Sequence, residues 1–88
     1  MTDEGSALAD AAREGFRDAL VRSHKARGNY EELDAAAARY CQVLRSQGCS
    51  PERALVNAKH VIAEAIDNDD RPVAERAVST CIQEYFRT

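Results

Sequence analysis

Apolar residues recur at three- and four-residue spacing along most of this chain, and the pattern breaks into four stretches. In the first, Leu8, Ala12, Phe16, Ala19 and Leu20 form one stripe. It predicts a helix capped by Ser6 and running to about Arg27, where Gly28 ends it. Residues 1–5 read as a flexible tail and residues 6–88 as a single helical domain. In the second stretch Leu33, Ala37, Tyr40 and Leu44 share a face flanked by Ala36, Cys41 and Val43. Asn29 is placed to cap this helix, with Glu32 three residues on as in a capping box. The third runs from Pro51 to about Ile66. Leu55, Ala58, Val61, Ile62, Ala65 and Ile66 lie on its apolar side, against Arg53, Asn57, His60 and Glu64. The fourth follows a polar connector at 67–71 and is opened by Pro72. Its stripe is broad: Ala74, Ala77, Val78, Cys81, Ile82, Tyr85 and Phe86. The β-branched residues fall at helical spacing, so no strand is expected.

The joint between the second and third stretches is the sharpest local signal. Gly48 can take the left-handed backbone that closes a helix. Ser50 can cap the next helix, and Pro51 suits its first position, where a missing N–H costs nothing. The run Ala35–Ala38 lets a neighbouring helix come near. Gly15, inside the first helix, is expected either to admit a close neighbour beside Phe16 or to mark a weak point. Four amphipathic stripes must be buried against one another. The expected fold is all-α, a small four-helix bundle. Its alternative is a three-helix core with a terminal helix packing on a second copy.

Composition narrows the functional classes. Eighty-eight residues make one domain with a small core, to which a partner would add useful buried surface. The chain is 44% apolar with alanine prominent, and it has no tryptophan, which disfavours a deep small-molecule pocket. The net charge is −3, unlike a domain built mainly for nucleic acid. Yet Arg13, Arg17, Arg22, Lys25 and Arg27 cluster in the first helix, against only Glu14 and Asp18. The spacing of Asp10/Arg13, Glu14/Arg17 and Asp18/Arg22 predicts pairing within the helix. The acidic start Met1-Thr2-Asp3-Glu4 does not read as a signal peptide, and no apolar run approaches membrane-spanning length. Three scattered cysteines fit a reducing cytosol better than a disulfide framework.

Candidate chemistry is sparse. Cys41, Cys49 and Cys81 lack the close pairing of a structural zinc site. Cys41 and Cys81 sit in apolar stripes, where a thiol acts as a small hydrophobe. Cys49, near the start of the third helix, is the redox candidate. His60 is followed by Val61-Ile62-Ala63, not the lysine and glycine of a phosphotransfer histidine, and reads as a solvated residue one turn before Glu64. His24 closes a basic last turn, where a cation suits the helix dipole. The joint at 48–50 is similar to a DNA-binding helix-turn-helix, but the apolar anchor slots fall on Ala54 and Asn57. No nucleophile–base set, phosphate-cradling loop or paired-carboxylate motif stands out, so no enzyme and no cofactor are expected.

The segment Leu44-Arg45-Ser46-Gln47-Gly48-Cys49-Ser50-Pro51-Glu52-Arg53-Ala54-Leu55-Val56, followed by Lys59, and the ending Cys81-Ile82-Gln83-Glu84-Tyr85-Phe86 carry a resemblance. Over about residues 40–87 the chain resembles a group of short all-helical bacterial proteins of uncharacterised function. It departs from them in Asn57-Ala58 and in lacking a tryptophan before Cys81. The resemblance implies a helical hairpin and a bacterial source, and carries no site residue.

The expected function is a non-enzymatic helical protein–protein interaction or regulatory module of the bacterial cytosol. Its partner is a protein or a second copy, with no membrane and no small-molecule substrate. Tyr85, Phe86 and Ile82 are the candidate anchors, because aromatic side chains concentrate contact energy. One alternative is a nucleic-acid-associated regulator using Arg13, Arg17, Arg22 and Lys25; another is a thiol redox sensor at Cys49.

Overall fold

The computed structural model describes residues 4–25, 30–66 and 70–86, with side chains from Ala7 onward. Four helices account for nearly all of these: α1 (Glu4–Lys25), α2 (Glu31–Ser46), α3 (Pro51–Ile66) and α4 (Arg71–Phe86). They form a four-helix bundle. Both α1 and α4 contribute to one core, so neither terminal helix is left over for a second copy. Around the bundle the order is α1, α2, α4, α3, while α2/α3 and α1/α4 face each other diagonally. Contacts between Asp34 and Arg76 and between Gln42 and Glu84 show that α2 and α4 run parallel. Tyr85, near the end of α4, reaches Cys49, just before the start of α3, so these two are antiparallel.

The α2–α3 joint forms as its residues dictate. Gly48 has φ 81°, the left-handed conformation. The Gly48 N–H bonds the Arg45 carbonyl and the Cys49 N–H bonds the Leu44 carbonyl, both at 3.0 Å. These two bonds satisfy carbonyls that the helix end would otherwise leave unpaired. Ser50 caps α3, its hydroxyl accepting the Arg53 N–H at 3.3 Å, with Pro51 at the first helical position.

The other termini differ from expectation. Glu4, Gly5 and Ser6 already belong to α1, so Ser6 lies inside the helix and does not cap it. The predicted ends at Arg27 and Gly28 and the Asn29 cap lie outside the described residues. Tyr30 occupies the α2 cap position without a side-chain cap bond, and Glu32 turns to Arg22 in place of a capping box. Asp70 caps α4: its carboxylate accepts the Val73 N–H at 3.3 Å and its carbonyl accepts the Ala74 N–H. Helix α4 therefore opens one residue before Pro72, and the acid read as part of a connector is 6% exposed.

The core is built from Phe16 and Leu20 of α1, Leu33 of α2, Val61 of α3 and Val73 of α4, with alanines and two cysteines between them. The Phe16 and Tyr40 rings meet at 5.4 Å between centroids across the α1/α2 contact. Ala54 is fully buried where the pattern favoured Leu55, which is half-buried. Leu8 is exposed, contrary to its place in the predicted stripe. The reason is length. At 1.5 Å per residue α1 is about 33 Å long and the others about 24 Å, so its first turns overhang the core.

Gly15 does not admit a close neighbour: a methyl group there would meet nothing within 4 Å. Gly15→Ala should therefore stabilise the fold by about 0.5–1 kcal/mol through helix propensity and a less flexible unfolded chain. A thermal melt checks this, with a rise of about 2–8 °C expected for a chain of this size. An unchanged melting temperature would mean that α1 around Gly15 is not helical in solution.

Candidate functional site

Adjacent helices meet along four seams, and three of them are bridged by charge. Arg22 of α1 pairs with Glu32 of α2. Arg13 of α1 pairs with Glu64 of α3 at 2.6 Å. Across α2/α4, Arg76 places two guanidinium nitrogens on the two oxygens of Asp34 at 2.9 and 2.7 Å. The Thr80 hydroxyl also donates to Asp34, and Gln42 donates to Glu84 at 3.0 Å. The Arg76 hydrogen bonds hold the Asp34 carboxyl below its ordinary 3.8, against a smaller opposing effect of burial. Arg76 also lies over the Tyr30 ring at 5.6 Å, close enough for a cation–π contact.

These bridges replace the pairs expected within α1. Among the described residues, Arg13 and Arg22 reach across seams and leave Asp10 and Asp18 aside, and Glu64 meets Arg13 rather than His60. An arginine at the edge of a core stripe lays its stem over apolar surface and delivers its charge to the facing helix. His24 likewise does more than complement a dipole: its Nδ1 lies 2.8 Å from Asp70, tying the end of α1 to the start of α4.

The fourth seam, α3/α4, has no polar bridge across it among the described residues. It is an open apolar groove of about 760 Å³, floored by Ile62, Ala63, Ala74 and Val78 and edged by Ile82. Phe86, one turn beyond Ile82, is 69% exposed, and Ile82 is 40% exposed. Val56 is also exposed and shares a face of α3 with Ala63, seven residues on. Lys59 and Glu75 are the charged groups lining the groove. The α4 stripe thus divides. Ala77 and Cys81 turn inward with Val73, which the expected stripe left out; Ala74 and Val78 stand half-buried along the groove, and Ile82 and Phe86 turn out.

The structure separates the predicted anchors. Tyr85 does not stand beside Phe86 on the surface. Its hydroxyl donates to the Cys49 carbonyl at 3.1 Å, and burial, chiefly, pushes its pKa up to about 12. Tyr85 clamps the end of α4 to the α2–α3 joint. Of the basic set, Arg13 and Arg22 are engaged in ion pairs, whereas Arg17 and Lys25 are exposed. Asp70 and Asp34 are the positioning residues that sequence reading missed. Placing Pro72 at the first helical position hid the Asp70 cap, and nothing local in the sequence foretells a bond between Asp34 and Arg76.

Cys41 on α2 and Cys81 on α4 are buried in the core, while Cys49 is half-buried at the joint. The neighbouring Cys81 thiol, with burial, pushes the Cys41 thiol up. No group of three or more metal-ligating side chains gathers among the described residues, and no helix there is long and apolar enough to cross a membrane. No family model, no curated protein and no solved structure matches this chain.

The α2/α4 seam sets two outcomes. Because the folded pKa of Asp34 is depressed, its ion pair stabilises the fold above pH 3.8 and is lost as the pH falls through the lower, folded value. Acid unfolding of the wild type should show this loss, and Arg76→Leu should shrink it; identical acid limbs would dismiss the Asp34–Arg76 pair as a stabilising contact. With a thiol reagent, Cys49 should react first while Cys41 and Cys81 stay protected until unfolding. Peptide mass spectrometry reads the order, and equal rates at all three would mean that the seam opens freely.

Proposed function

We propose that this chain is a non-enzymatic helical interaction module whose α3/α4 face docks a helical protein surface. The observation that carries the reading is the contrast between seams: three are closed by charged side chains, and the fourth is left apolar with Ile82 and Phe86 projecting beside it. Exposed large apolar groups beside a groove with few polar atoms are what an amphipathic helix fills, placing its apolar positions at three- and four-residue spacing. Phe86 and Ile82 are the anchors on this side, since each loses substantial exposed apolar surface on docking. The likeness of residues 40–87 to short bacterial helical proteins supports a bacterial source, and three cysteines without a disulfide support a reducing compartment. A nucleic-acid role draws less support, because Arg13 and Arg22 are committed to Glu64 and Glu32.

The test compares tagged wild type with Phe86→Asp and Ile82→Asp in nuclease-treated native lysate. Association with a protein partner should be lost in both variants and kept in Arg17→Glu, with unfolding curves close to wild type because both anchors are exposed. Association that survives both anchor changes but disappears with nuclease or rising salt would overturn this reading in favour of the basic face of α1.

A further inference from the structure

Charge placement on the α3/α4 face identifies what covers it. The cation of the groove, Lys59, is on α3, and the anion, Glu75, is on α4. The two helices are antiparallel and joined at one end, so height can be counted from that end. Lys59 stands about 10 Å up α3 from Ile66, and Glu75 about 6 Å up α4 from Arg71. The two charges thus lie within one helical turn of the same height, on opposite sides of the groove.

A twofold axis running along the groove, parallel to the helices, brings a second copy face to face with the first. It keeps every residue at its own height and lays α3 of one copy over α4 of the other. Lys59 of each copy then comes over α4 of its mate, within a turn of Glu75 and inside the reach of a lysine side chain. The pairing occurs twice. The exposed apolar groups follow the same rule. Val56 stands about 15 Å up α3 and Ile82 about 16 Å up α4, so each Val56 falls on the Ile82 of the mate. The Glu75 carboxylate touches Arg71 only loosely, at 3.8 Å with both side chains largely exposed, and stays available to another cation.

Size agrees with this arrangement. Two helices of 16 residues present a face of about 24 by 20 Å. With side-chain relief this approaches the lower end of a standard interface, about 600 Å² of accessible surface per partner. From this self-complementary pattern we infer that the face takes a second copy of the chain in a twofold, isologous dimer. The inference rests on the reading of this face as an interface.

The experiment measures mass in solution, by sedimentation or light scattering, from about 1 to about 200 µM, because dimer content is set by concentration. Wild type should dimerise. Lys59→Glu alone and Glu75→Lys alone each put like charges opposite and should weaken the dimer at least about tenfold. Mixing the two variants should restore it: one chain is then acidic at both positions and the other basic at both, which makes two opposite-charge pairs. Circular dichroism confirms that each variant is folded. A wild type that stays monomeric throughout this range overturns the dimer. If Phe86→Asp and Ile82→Asp still abolish capture of another protein, the docking face itself stands. A dimer unaffected by Ile82→Asp and by both charge changes overturns the inference, because the copies then meet elsewhere.

Discussion

Everything else in this molecule depends on how closely its helices approach. Six of the buried positions are alanine (Ala12, Ala19, Ala37, Ala54, Ala58 and Ala77), and Cys41 and Cys81 are little larger. Small side chains at the contacts draw helix axes together. The few large ones then serve as keys: Phe16 against Tyr40 on one side, Leu33, Val61 and Val73 from the other helices. Alanine removes little apolar area from water, so such a core is stabilised less per residue than a leucine-rich one. The large side chains cannot be truncated without leaving a void that rigidly packed helices would not close.

Close approach also decides what happens at the edges. Residues bordering the core stripe of one helix are brought within side-chain reach of the next. Arg13, Arg22 and Arg76 use that reach to bond carboxylates on the facing helix. Exposed pairs of this kind contribute little energy individually. Their value is orientation: a fork on Asp34 fixes the register of α4 against α2, which an alanine surface alone would let slide. Along α3/α4 the groove is floored by alanine, valine and isoleucine with no polar bridge among the described residues, so the register there is held at one end by Tyr85 on Cys49.

Helix number, the α2–α3 joint and the limits of α3 were legible in the sequence because each rests on local chemistry. Gly48, Ser50 and Pro51 act within a few residues of themselves. The stripe of α2 was legible for the same reason, with Leu33, Ala37, Tyr40, Cys41 and Leu44 all buried. What escaped was long-range. The broad stripe expected on α4 omitted the buried Val73 and gave no means of telling the inward Ala77 and Cys81 from the outward Ile82 and Phe86; the azimuth of α4 is set by α2 through Asp34 and Arg76. The pairing of Arg13 and Arg22 was misread because spacing offered acids nearby, whereas packing offered acids across a seam. Of the candidate site, Ile82 and Phe86 were read as anchors from their chemistry alone, but the groove beside them belongs to two helices and exists only after folding.

The antiparallel hairpin itself supplies the geometry on which the proposed docking of a second copy rests. A twofold axis along the groove exchanges the two helices without changing height, so a residue of α3 meets whatever α4 carries at the same level. Self-complementarity therefore needs opposite character on the two helices at one height, and nothing more. Lys59 and Glu75 meet that condition for charge, and Val56 and Ile82 meet it for apolar surface about one to two turns further on. Were both charges on α3, the same rotation would lay them over uncharged positions of α4. Were they of one sign, it would set them against each other. Either case would leave the groove to a foreign helix. The division of charge between the two helices is thus the feature that distinguishes a self-association surface from a general apolar groove.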